Sequence, residues 1–182
     1  MRLRMLTGLL GLLIAFSVNP AQAQWKSYVN KEVGFSFLMP GAPTSGKGTY
    51  KTSTGEKPAT VYTATDDNIV YRVNVAEVGG QDGTQAIKDA AEAFQSGHKV
   101  LTDNEARVEG QLGRKAVVDL AGNGGRSLTS IYFKNGHLIQ LMVTVLPANG
   151  DYGTPDSGRF VESIAFGDER YEADATELSL QK

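Results

Sequence analysis

Gly41-Ala42-Pro43-Thr44-Ser45-Gly46-Lys47-Gly48 comes within one residue of a phosphate-cradling loop. In such a loop backbone N–H groups hold the phosphates, the Lys reaches them, and a Ser or Thr after the Lys holds magnesium. Here Gly48 stands where that hydroxyl belongs. The chemistry also needs a following helix, whose N-terminal dipole steadies the anion. Thr49 to Thr54 is instead β-prone and stops at Gly55. The octapeptide therefore reads as a turn rich in Gly and Pro.

Metal chemistry has little to draw on. The chain has two His and no Cys, which excludes a thiolate metal site, a Cys nucleophile, a disulfide scaffold and a lipidated N-terminal Cys. His98 follows Gly97 at a predicted helix end, where a cationic ring suits the dipole. His137 sits beside a hairpin turn opposite Lys134, whose charge repels a bound cation. The two share no short ligand spacing. Asn149 to Asp156 offers oxygen ligands, but its Asp spacing is not that of a calcium loop and no Glu closes it. The segment reads as a loop whose last Asp caps the next helix.

Nucleophilic and hydrolytic signatures are also missing. No Ser lies in a Gly-x-Ser-x-Gly elbow. A Ser-His-Asp set assembled from distant residues leaves no trace in sequence, and 20 acidic residues single out no glycosidase pair. Tyr62, Tyr71, Tyr132 and Tyr152 read as sheet residues rather than a sugar platform. We assign no catalytic, cofactor-binding or metal residue, call for no cofactor, and read the chain as not an enzyme.

The elements that would position any site are mostly short strands punctuated by Gly. Phe35 to Met39 is a strand between Gly34 and Pro40-Gly41. Thr60 to Thr65 and Ile69 to Val78 flank an Asp66-Asp67-Asn68 turn. Ile69, Tyr71, Val73 and Val75 share one face, with Arg72 and Asn74 on the other. Asp82-Gly83-Thr84 opens a helix to about Ser96, with Asp82 or Thr84 as cap and Gly97 as stop. Ala86, Ile87, Ala90, Ala91 and Phe94 form its apolar stripe, small enough to pack closely on a sheet.

Four more strands follow. Glu105 to Glu109 and Arg114 to Leu120 are joined through Gly110 to Gly113, and Ser127 to Lys134 and His137 to Leu146 through Asn135-Gly136. Asn-Gly demands positive φ at both turn residues and sets the register. Lys134 then faces His137, Phe133 faces Leu138, Ile131 faces Gln140 and Thr129 faces Met142. The last strand is apolar on one face and partly so on the other, so it is predicted to be central. Arg159 to Ile164 reads as a short helix capped by Asp156 or Ser157, burying Phe160, Val161 and Ile164. From Gly167 onward the chain is polar and predicted to be a mobile tail with no packed role.

The N-terminus carries an address. Arg2 and Arg4 precede a 13-residue, almost wholly apolar run from Leu6 to Val18, then Asn19-Pro20-Ala21-Gln22-Ala23. This is the order of charge, apolar core and small-residue cleavage site that a signal peptidase reads. Ala21 and Ala23 supply the small side chains, and Gln24 is the predicted new N-terminus. The run is short of the ~20 residues a bilayer core requires, and Pro20 stops its helix. No stable membrane span is expected after processing. With no adjacent arginine pair, general secretion is the expected route, to the periplasm or outside. The expected organisation is leader 1–23, domain 24–166 and tail 167–182. The mature 159 residues suit one domain, and 16 basic against 20 acidic residues argue against a nucleic-acid partner.

The layout resembles the PsbP-like group of small exported domains. Trp25 and Tyr28 precede a turn, then come Gly34-Phe35-Ser36-Phe37 and Pro40-Gly41. Gly110-x-x-Gly113-Arg114 starts a run of strands, and Arg159-Phe160-x-x-Ser163-Ile164-x-Phe166 closes the domain. The resemblance, one of layout over about residues 25–166, implies an α+β fold with a central antiparallel sheet flanked by helices, an α/β/α sandwich. Plant members are extrinsic subunits that dock on photosystem II and help retain its ions. No metal-binding or docking motif of theirs stands in this chain, so no functional residue is carried over. The expected role is a non-enzymatic domain that binds an envelope protein or component. The alternative is a hydrolase or small-ligand binder with a site assembled from scattered residues.

Overall fold

The computed structural model describes residues 24–52, 55–80, 82–167 and 174–181. The leader, with Ala21 and Ala23, lies outside the described residues. Asn135 and Gly136 both take positive φ, 49° and 76°. They close the hairpin of β8 (Arg126–Lys134) and β9 (His137–Val145) in the register expected, from Lys134↔His137 through Thr129↔Met142. The β4 (Gly55–Asp66) and β5 (Ile69–Glu77) hairpin turns on Asp67-Asn68 alone, because Asp66 pairs with Ile69.

β6 (Lys99–Val108) and β7 (Gln111–Asp119) correct the sequence reading. Their turn is Glu109-Gly110, both at positive φ, rather than residues 110–113, and β6 begins six residues before Glu105. Glu rarely takes a left-handed turn position. Here its carboxylate accepts the Phe166 N–H at 2.6 Å, which ties the turn to the end of the domain.

With β3 (Thr44–Thr52), these strands form one antiparallel sheet in the order β3-β4-β5-β9-β8-β7-β6. β9 is its central strand, as its two apolar faces require. α1 (Gly83–Gln95) lies on one face and buries Ala86, Ile87, Ala90 and Ala91 against Ala76, Ile131 and Leu138. Asp82 caps it by accepting the Thr84 N–H at 2.9 Å, and Gly97 follows at φ 77°.

The opposite face carries more than the helix that the expected α/β/α sandwich places there. Its cover is a small sheet in the order β10-β2-β1-β11 together with one short helix. β1 is Trp25–Asn30, β2 Phe35–Pro40, β10 Ala165–Phe166 and β11 Thr176–Glu177. Phe35, Phe37 and Met39 alternate along β2 and are all buried, so a strand shares the cover of this side with the helix. They meet Tyr62, Tyr71, Val73, Leu141 and Val143 of the large sheet in a core cluster. The helix, α2 (Pro155–Val161), starts earlier than expected. Thr154 caps it, with Pro155 at the first helical position, where a missing N–H costs nothing. Phe160, Val161 and Ile164 are buried as expected.

Residues 176–181 correct the expected free tail. Thr176 and Glu177 pair in parallel with Tyr28 and Val29 of β1, and Leu178 and Leu180 pack against the core. Glu-Leu-Ser-Leu has the period of a half-buried strand, which a reading by overall polarity passes over.

An ion pair ties edge strand β6 to β7. Arg114 donates from Nε and Nη2 to the two Asp103 carboxylate oxygens at 2.5 and 2.7 Å. These hydrogen bonds hold the Asp103 carboxyl below its ordinary value. A depressed carboxyl stabilises the fold above its unfolded-state value and loses that contribution as pH falls through its folded value. Asp103→Asn is therefore expected to lower stability by about 1 kcal/mol at neutral pH. In urea unfolding, the gap between the two chains should close below the ordinary carboxylate range.

Candidate functional site

Sheet register brings together residues that sequence spacing keeps apart. Thr60 pairs with Val75, and Glu77 pairs with His137. With Pro58 and Ala59 they line a surface groove of about 460 Å³. Glu32, from the turn between β1 and β2, and Leu180 and Gln181, from the C-terminal segment, complete the lining.

The groove is rich in acceptors. Glu32 and Glu77 are exposed carboxylates. His137 Nδ1 lies 2.8 Å from the Asn135 carbonyl, which can only accept, so Nδ1 carries the proton. Among the described residues, the one hydroxyl in the lining, Thr60 Oγ1, accepts the Gln181 N–H at 2.8 Å. Such a lining suits the N–H groups and cations of a partner better than it suits acyl transfer, which needs a free hydroxyl or thiol beside a base. Among the described residues, no group of three or more His, Asp and Glu is placed to hold a metal ion.

The C-terminal segment is held mainly through its backbone. Leu178 N–H donates to Val29 O at 2.8 Å, and the Tyr62 hydroxyl donates to Ser179 O at 2.9 Å. Gln181 Nε2 donates to Ser45 Oγ at 3.4 Å, and Lys31 Nζ meets Glu177 at 2.8 Å. Four of the six residues 176–181, Thr176, Glu177, Ser179 and Gln181, are exposed, so little burial adds to these bonds.

The other residues weighed from sequence are scattered. Gly41 takes a turn at φ 67°, while Thr44 to Gly48 lie in β3, so the phosphate-loop lookalike is neither a phosphate loop nor mainly a turn. The next element after β3 is the strand β4, not a helix. His98 Nδ1 accepts the Ala121 N–H at 3.2 Å, on an element apart from His137. Asp151 accepts the Gly153 N–H at 2.8 Å, and Asn149 Nδ2 donates to Asp151 O at 2.6 Å, as in a self-bonded loop. Thr154, not Asp156, caps the helix that follows.

Tyr62, Tyr71 and Tyr132 are fully buried sheet residues. Tyr152 lies beneath Arg126, whose guanidinium carbon is 5.2 Å from the ring centroid. Burial pushes the Tyr132 phenol up to about 12 and raises that of Tyr71 as well. Neither is therefore a proton donor or acceptor near neutral pH.

Sequence reasoning missed Glu32, Glu77, Leu180 and Gln181. The one usable signal was the Leu-x-Leu alternation at 178 and 180. The carboxylates carry no signal of their own, because only register and layer packing bring them together.

No family model matches the chain, and no curated protein matches it in sequence. Among solved structures it is similar to cyanobacterial PsbP (CyanoP) from Synechocystis sp. PCC 6803, determined in solution. The two are 16% identical, with a TM-score of 0.56, over 88% of this chain and 98% of that one. At that identity the likeness carries architecture alone, and the architecture of this chain is the PsbP-like fold.

Proposed function

We propose that this chain is an exported docking domain, periplasmic or secreted, that binds another envelope protein or component through its surface. The charge, apolar run and Ala-x-Ala order of residues 1–23 support export by general secretion with cleavage before Gln24. The observation that carries the docking reading is the location of the polar chemistry. It lies on a surface groove of acceptors, over a core of close-packed Phe and Tyr. The PsbP-like resemblance points the same way, since the plant members of that group dock on a larger assembly.

A second reading, a small-ligand binder or hydrolase with a scattered site, draws on one observation: the pairing of Glu77 with His137 in the groove. Photo-cross-linking in the intact envelope separates the two. A cross-linker at Glu77 should capture a discrete macromolecule, and one at Lys88, on the outer face of α1, should not. Capture at background level from both positions would count against docking.

A further inference from the structure

We propose that the edge of β1 facing away from β2 is a strand-addition site for an extended peptide in trans, filled in this chain by residues 176–181 as an internal stand-in. The inference rests on the docking reading and names the chemistry of the partner. The contacts here are those of strand addition, in which main-chain hydrogen bonds supply affinity and alternate side chains supply specificity. Val29 O, the Tyr62 hydroxyl and Thr60 Oγ1 bond the backbone of residues 178, 179 and 181 in turn. None of the three reads a side chain, so any extended peptide can meet them.

Selection comes from two features. Lys31 meets Glu177, and Leu178 and Leu180 turn together toward the core. The fitting partner is thus an extended segment with an acidic residue followed by Leu-x-Leu, or two other aliphatic residues in that spacing. Leu180 and Gln181 also line the acceptor groove beside Glu32 and Glu77. A longer partner would run on into it and gain from a basic residue there.

The groups at the site are placed for a strand. The Tyr62 hydroxyl and the Val29 carbonyl each bond the backbone of the resident segment, and a second extended backbone would make both bonds again. The resident segment is exposed at Thr176, Glu177, Ser179 and Gln181, as suits an occupant that can leave.

The test uses the whole mature chain with Leu178→Ser and Leu180→Ser, which loosens the resident segment and leaves the site intact. The probe is a labelled synthetic peptide with the sequence of residues 174–182, followed by fluorescence anisotropy. The loosened chain is expected to bind it at least about tenfold more tightly than the unaltered chain. A peptide carrying the same two Ser substitutions should lose that binding. A loosened chain that keeps its circular dichroism but binds no better than the unaltered one overturns the proposal, as does equal binding of the Ser peptide.

If the variant does not fold, hydrogen exchange of the unaltered chain decides. Leu178 and Gln181 amides exchanging more than about tenfold faster than Leu141 of β9 support an exchangeable segment, and any smaller difference overturns it. Failure here would remove the peptide site only, because the Glu77 and Lys88 cross-linking experiment tests docking separately.

Discussion

A chain carrying Gly113→Ala is expected to lose about 3 kcal/mol of stability, near the upper end of what overfilling a packed core costs. Gly113 stands directly opposite Tyr132 on the neighbouring strand. A Cβ there would overlap Cε1 and Cδ1 of the Tyr132 ring and stand 2.6 Å from the Ile131 carbonyl oxygen. The ring has little freedom to move, since it is fully buried and meets Phe166 edge-on at 5.4 Å. Gly113 is required for space rather than for backbone conformation, because its φ is not positive. The control is Gly46→Ala, in edge strand β3, where a Cβ would meet nothing within 4 Å. It should change stability by less than about 0.5 kcal/mol. Urea midpoints at constant slope measure both, and a Gly113→Ala shift no larger than the control's would refute the packing of Tyr132 across Gly113.

Phe160→Ala is expected to cost about 3–5 kcal/mol, the range for emptying a buried aromatic site. Phe160 is fully buried on α2 and meets Tyr71 edge-on at 5.3 Å, and Tyr71 in turn meets Trp25 of β1 at 5.7 Å. This chain of rings joins helix, large sheet and small sheet, so no one neighbour can collapse into the cavity without leaving another. Two hydrogen bonds hold α2 and the turn after it in place around the loss. Ser130 Oγ donates to Val161 O at 2.8 Å, and Leu38 N–H donates to Ser163 Oγ at 3.0 Å. For a domain of this size, the melting temperature should fall by roughly 10 °C. A calorimetric shift of only a degree or two would mean that the layer is not packed as described.

Legibility in the sequence followed the range of the interaction. Asn135-Gly136 was readable because two adjacent residues carry the whole instruction, and every pair expected from that turn is present. The α1 stripe was readable because its Ala residues recur every helical turn and Asp82 caps it within two residues. Glu109-Gly110 was not readable. What holds Glu109 in a left-handed conformation is an N–H contributed by Phe166, 57 residues away. Thr154, rather than the expected Asp156 or Ser157, is the cap of α2, and Thr before Pro is a sound helix start.

The groove was illegible in full. Glu77 and His137 face each other only after β5 and β9 have paired. Glu32 and Gln181 arrive only after the small sheet has settled on the large one.

By itself the sequence determined the leader pattern, the β8–β9 register, the central place of β9 and the apolar stripe of α1, since each depends on side-chain periodicity or on turn residues close in the chain. Tertiary structure alone decided that a small sheet joins the second helix on the far face, that residues 176–181 are captured by β1, and that five separate stretches of chain share one groove. Those outcomes depend on which surfaces are left uncovered once the large sheet has closed. A residue's type does not carry that information until the strands on either side of it are in place.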